Sequence, residues 1–137
     1  MMTDENPKNP EALSWAEEAL QESEARYRLL VETINNGLVT LNPEGVVTYA
    51  NNKVYDTLGY TPSEIIGHHA SEFAAPDYLQ TLRKQMRQRV SRISSAYEMK
   101  WQGKDQREVW TIVSSGPFIG KDGTFQGTVA TLTDITE

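Results

Sequence analysis

Apolar positions in the first part of the chain recur with the period of a helix. Leu13, Leu20, Tyr27 and Ile34 stand seven residues apart, and Ala16, Ser23 and Leu30 occupy the second seam position of the same heptad. One stripe of this segment is therefore suited to packing against a partner helix. Residues 11–35 contain no Gly or Pro and are rich in Ala, Glu, Leu and Arg, all strong helix formers, so the spacing predicts one long helix there. The seam is weakened by the small side chains of Ala16 and Ser23. Because most helix stability comes from packing an apolar face, this stripe needs either a second copy of the chain or the domain that follows. Residues 1–10 are polar, carry two prolines and show no period, and are read as a disordered tail.

From residue 36 the period changes. Leu38 to Leu41 and Val46 to Tyr49 are short β-branched or aromatic runs joined by Asn42-Pro43-Glu44-Gly45, a turn composition that predicts a hairpin. Helical signals follow. Asn51 is placed to cap a segment ending at Gly59, and Thr61-Pro62-Ser63-Glu64 has the pattern of a capping box with Pro at the first helical position. Between Asp77 and Ser91, Leu79, Leu82, Met86 and Val90 form an apolar stripe. The last third alternates again: Tyr97, Met99 and Trp101 interleave with Glu98, Lys100 and Gln102, the period-two signature of a half-buried antiparallel strand. Two further strands, 108–119 and 124–133, are separated by a turn containing Asp122-Gly123, a strong hairpin signal. Helix, two strands, three helices, three strands is an α+β order, with one antiparallel sheet and helices gathered on one face.

Composition narrows the chemistry. With no cysteine, disulfides, thiolate metal sites and cysteine nucleophiles are excluded. The formal charge of −6 opposes a nucleic-acid footprint, which needs a net basic face. Arg83, Lys84, Arg87, Arg89 and Arg92 form the one basic cluster and are read as a solvated helix face. No stretch approaches the roughly 20 apolar residues of a membrane span, and the start lacks the pattern of a signal peptide, so the chain is read as cytoplasmic. His68 and His69 are adjacent and cannot share a metal at helical i, i+4 spacing. Ser114 and Ser115 lie in a strand pattern without a nucleophile elbow, and the glycines show no phosphate-loop spacing.

Taken in order, several segments resemble the PAS family over residues 36–137. Gly37 to Leu41 and Val47 to Asn51 resemble its first two strands and its asparagine. Leu58-Gly59-Tyr60-Thr61-Pro62-Ser63-Glu64-Ile65-Ile66-Gly67 is similar to its signature almost letter for letter. Lys104-Asp105 with Trp110 resembles its turn and fourth strand, although Gln106 and Arg107 replace the usual Gly-Ser, and Thr133-Asp134-Ile135-Thr136-Glu137 resembles its closing motif.

The resemblance implies a five-stranded sheet in order 2-1-5-4-3 enclosing a small pocket, and signal transfer to a missing downstream output domain, of histidine kinase or diguanylate cyclase type. In the family register, Val39, Leu41, Tyr97, Met99, Trp101, Thr111, Val113, Ser115, Val129 and Thr131 face inward, with Met86 from the helix. A ligand, if one is held, would be a small aromatic or weakly polar molecule meeting Trp101 and the hydroxyls of Thr111 and Ser115; a filled, ligand-free core is the plainer alternative. Asp134 and Thr136 are implied in signal transfer, and the N-terminal helix in a homodimer. Haem-binding relatives carry a histidine on the long helix, which here has none, and flavin photosensors carry a cysteine where this chain has Ala70. No cofactor is expected. The purified protein should accordingly be colourless in its absorbance spectrum; a Soret band or a flavin spectrum would contradict this.

Overall fold

The computed structural model describes residues 10–33 and 35–136, leaving aside the side chains of 10–13, 27–28 and 31–33. It divides into two units at residues 34 and 35. The first holds helix α1, Pro10–Thr33. Of the expected seam, Leu20 and Leu30 are exposed in the single chain, whereas Ile34 and the side chains of Leu13 and Tyr27 fall outside the described residues, as does the tail 1–9. Among the described residues, no helix is long and apolar enough to cross a membrane.

The second unit is built on strands β1 (Gly37–Leu41), β2 (Val47–Ala50), β3 (Ser95–Gln102), β4 (Glu108–Ile119) and β5 (Phe125–Asp134). They form one antiparallel sheet in the order β2-β1-β5-β4-β3. Between β2 and β3 lie α2 (Asn52–Leu58), α3 (Pro62–Ile65), two short 3-10 turns (Ala70–Phe73 and Pro76–Tyr78) and α4 (Leu79–Val90). Their apolar side chains, Val54, Leu58, Ile65, Phe73 and Leu82, join Met99, Trp101, Val113, Ala130 and Leu132 of the sheet in one buried cluster.

Two polar devices fix where the helices begin. Asn51 is buried, and its Oδ1 accepts from the backbone N–H of Leu38 (3.0 Å) and of Val54 (3.3 Å), while Nδ2 donates to the carbonyl of Asn36 (3.1 Å). One side chain thus caps α2 and anchors the start of β1. At α3 the Glu64 carboxylate accepts from the backbone N–H of Thr61 (2.9 Å) and from its hydroxyl (3.0 Å). The Lys104 ammonium across the fold, together with these Thr61 contacts, holds the Glu64 carboxyl down to about 2.

Strand β5 departs from the expected phase. Ile119 pairs with Phe125 but Phe118 with Gly127, so Gln126 is an extra residue at a bulge. Gly127 sits at φ +136°, and a Cβ there would lie 1.9 Å from the carbonyl oxygen of Leu41, so only glycine allows β1 to approach. One inserted residue moves every following side chain to the other face. Thr128, Ala130 and Leu132 therefore face the core, whereas Val129 and Thr131, expected inside, lie opposite Thr40 and Leu38 on the outer face. Leu132→Ala should cost about 2–5 kcal/mol in chemical denaturation, and Val129→Thr no more than about 0.5 kcal/mol. The reverse order of losses would restore the unbulged register.

Candidate functional site

The helical layer does not fill the inner face of the sheet completely. A cavity of ≈ 60 Å³ remains. Its floor is the inner face of all five strands, β2 contributing Val47; its roof comes from α2, α3, the Ala70–Phe73 turn and α4. Of the residues expected to line a pocket, Val39, Leu41, Met86, Tyr97, Trp101, Val113 and Ser115 are on its wall. Thr128, Ala130 and Leu132 take the places expected for Val129 and Thr131. Met99 is fully buried in the core but is not among the lining residues.

Thr111 also differs from expectation. It is completely buried, and its hydroxyl accepts from the Trp101 indole N–H at 2.9 Å and reaches the Met99 carbonyl at 3.4 Å. Indole and hydroxyl satisfy each other, and neither is left to greet a ligand. The pair instead stitches β3 to β4 inside the core.

The charged element of the cavity is Arg89, which does not lie on the solvated helix face expected for it. It is 2% exposed. Its Nε donates to Ser115 Oγ at 2.8 Å, its Nη2 to Gln85 Oε1 at 2.7 Å and to Ser95 Oγ at 2.6 Å, and its Nη1 to the carbonyl of Ile93. Burial pushes the guanidinium below the ordinary arginine range, opposed by Tyr97 beside it. Burial likewise raises the Tyr97 phenol, against the pull of Arg89 and Ser115. The helix geometry accounts for this placement. Leu82, Met86 and Arg89 stand at i, i+4 and i+7, on one face of α4, whereas Val90, expected in the stripe, has rotated out and is 57% exposed. The spacing marks position 89 as interior; its charge made it look like surface.

The remaining chemistry-bearing residues are used locally. His69 caps the Ala70–Phe73 turn by accepting from the Ser71 N–H (3.1 Å), and His68 pairs with Glu72 at 3.1 Å. Among the described residues no group of three or more His, Cys, Asp or Glu could hold a metal ion. Ala70 is buried on the cavity wall. At the exit from the sheet, the Ile135 N–H donates to the Trp110 carbonyl (2.9 Å), the Trp110 N–H to Thr136 Oγ1 (2.8 Å) and the Thr136 N–H to Asp134 Oδ1 (2.8 Å). The end of the described chain is thereby clipped to β4 at the residue next to Thr111. Trp110 is itself held edge-on against Tyr78, with the Lys100 ammonium 5.5 Å from each ring.

This architecture has close parallels. The chain is 33% identical over 84 residues to the methyl sulfide methyltransferase-associated sensor of Methanosarcina acetivorans, a match covering 61% of this chain and 8% of that protein. It is 27% identical over 112 residues to the two-component sensor PprA of Pseudomonas aeruginosa, covering 79% and 12% respectively. The chain thus spans a small part of the length of these relatives. In structure it is similar to the PAS domain of an HTR-like protein from Haloarcula marismortui, with a TM-score of 0.76 at 20% identity, covering 89% of this chain and 99% of that one. The sequence pattern of the PAS domain family matches residues 35–137, the whole of the sheet-bearing unit, and the chain belongs to that family.

Proposed function

We propose that this chain is the cytoplasmic sensory module of a larger signalling protein. In this reading, occupancy of the cavity alters the attachment of α4 to the sheet and, through the flanking helices of a dimer, the activity of a downstream output domain of histidine kinase or diguanylate cyclase type. The observation that carries the reading is the cavity beneath α4, walled by apolar side chains and one polar cluster, as suits a small-molecule site. The resemblance to short segments of longer sensor proteins supports it. The module does no chemistry in this account. It transmits, and the amplitude is limited by how differently a ligand binds the two states.

The route outward is short. Trp101 lines the cavity and bonds Thr111, and the residue before Thr111 on β4, Trp110, lies on the other face of the sheet, where Thr136 and the Asp134 turn are clipped. Asp134 and Thr136 are assigned the role of passing a change in β4 to the segment beyond the sheet.

A second reading is a ligand-free dimerisation and interaction module. The small cavity favours it, since a cavity binding benzene is about 150 Å³ and this one is ≈ 60 Å³. Native mass spectrometry of the purified protein separates the two. A bound small mass supports the sensor; an apo mass that no small molecule alters supports the interaction module.

The homodimer is assigned to the N-terminal helix, through Leu13, Leu20, Tyr27, Leu30 and Ile34. Removing residues 1–30, or making Leu20→Asp alone, should convert dimers to monomers in light scattering over a concentration series, with the far-UV circular dichroism of the sheet domain retained. A truncated chain that dimerises with unchanged affinity would move the dimer contact to the sheet.

A further inference from the structure

A buried guanidinium is costly unless a negative charge accompanies it, and arginines are almost never fully buried unpaired. Arg89 is buried, yet its partners are neutral oxygens: two serine hydroxyls, one side-chain amide and one backbone carbonyl, with the Tyr97 phenol beside them. Among the described residues, no Asp or Glu lines the cavity. Among the described residues, the acids that form ion pairs, Glu64, Glu72, Asp77, Asp105 and Glu108, pair with other side chains. The C-terminal end of α4 supplies some negative potential, because Arg89 lies in its last turn. That is a partial charge against a whole one.

We propose that the cavity takes a small carboxylate-bearing molecule, its anionic end on Arg89 beside Tyr97 and Ser115 and its short apolar part against Val39 and Leu132. This rests on the sensor reading above and specifies its ligand class. The chemistry fits at three points. A guanidinium pairs with a carboxylate through two parallel N–H···O bonds, and the apolar wall strengthens that pair. The wall is otherwise aliphatic and aromatic, which suits a tail and disfavours a fully hydrated inorganic anion. The volume of ≈ 60 Å³, against about 150 Å³ for a benzene site, selects a short aliphatic acid over an aromatic one.

Two of the neighbours of Arg89 stay bonded to each other when it turns to a ligand. Ser95 Oγ donates to Gln85 Oε1 independently of the arginine, so releasing Nη2 leaves that pair bonded to each other. Gln85 and Arg89 belong to α4, whereas Ser95 opens β3 and Ser115 lies opposite it on β4. Recruiting the guanidinium to an anion therefore loosens contacts between the helix and the sheet at the point where they are tied, which makes occupancy a mechanical event.

The test is a titration of the full chain, followed by amide resonances in proton–nitrogen correlation spectra, with propionate and with its neutral isostere propionamide. Propionate is expected to shift the amides of Arg89, Ser115, Ala130 and Leu132 saturably, and to bind roughly ten- to hundredfold more tightly than propionamide, the weight of a charge-assisted bond. Arg89→Met should abolish that preference while leaving propionamide binding in place. Should that variant not fold, as its spectrum would reveal, Ser115→Ala must weaken propionate more than propionamide. Equal binding of acid and amide would overturn the anionic assignment and leave the ligand-binding reading standing. Shifts confined to Arg83, Lys84 and Arg87 would overturn it as surface association, and no shift from either compound at the cavity residues would overturn both.

Discussion

Burying Arg89 sets the terms on which helix and sheet meet in this domain. A guanidinium withdrawn from water must have its donors met within the fold, and here they are met by Gln85 of its own helix, Ile93 in the following loop, Ser95 of β3 and Ser115 of β4. Four segments are thus held to one planar group. The same requirement explains the cavity. The polar cluster keeps the end of α4 at hydrogen-bond distance from the strands, while the short side chains of Ala70 and Ala130 leave space deeper in the wall.

The rest of the layer is positioned from the opposite end by Asn51, which fixes α2 against the start of β1. Between these two anchors the sheet's inner face is covered by elements too short to form a continuous roof. On the far side, β4 serves two masters. Its inward residues Val109, Thr111, Val113 and Ser115 belong to the core and cavity floor, whereas Trp110 on the other face holds the segment from Asp134 to Thr136. A displacement of β4 would be felt at both places, which is what a transmitting strand requires.

Much of this was legible in the sequence because local chemistry dictated it. The asparagine cap at Asn51, the Thr61–Glu64 box and the Asp122-Gly123 turn are short-range devices whose residues name their own geometry, and the alternation in β3 and β4 gave the correct inner face. The features that local chemistry does not dictate are of another kind. Either phase of β5 offered apolar residues to the core, Val129 or Ala130 and Leu132, and only the bulge at Gln126 and Gly127, set by close approach of Leu41, decides between them. Arg89 was obscured by its basic neighbours even though its spacing from Leu82 and Met86 placed it inside. Thr111 was correctly placed inside, but its partner across the strand, Trp101, could not be known to consume its hydroxyl.

The meeting of helix and sheet rests on Arg89 being enclosed in the domain and held by fixed acceptors. Nitrogen-detected spectra of the arginine side chains test it directly, because a guanidinium in water exchanges its Nε proton rapidly while an enclosed, bonded one does not. One strongly protected Nε–H resonance is expected at neutral pH, and it should disappear in Arg89→Met. Fast exchange at every arginine would contradict it, returning Arg89 to the solvated face of α4.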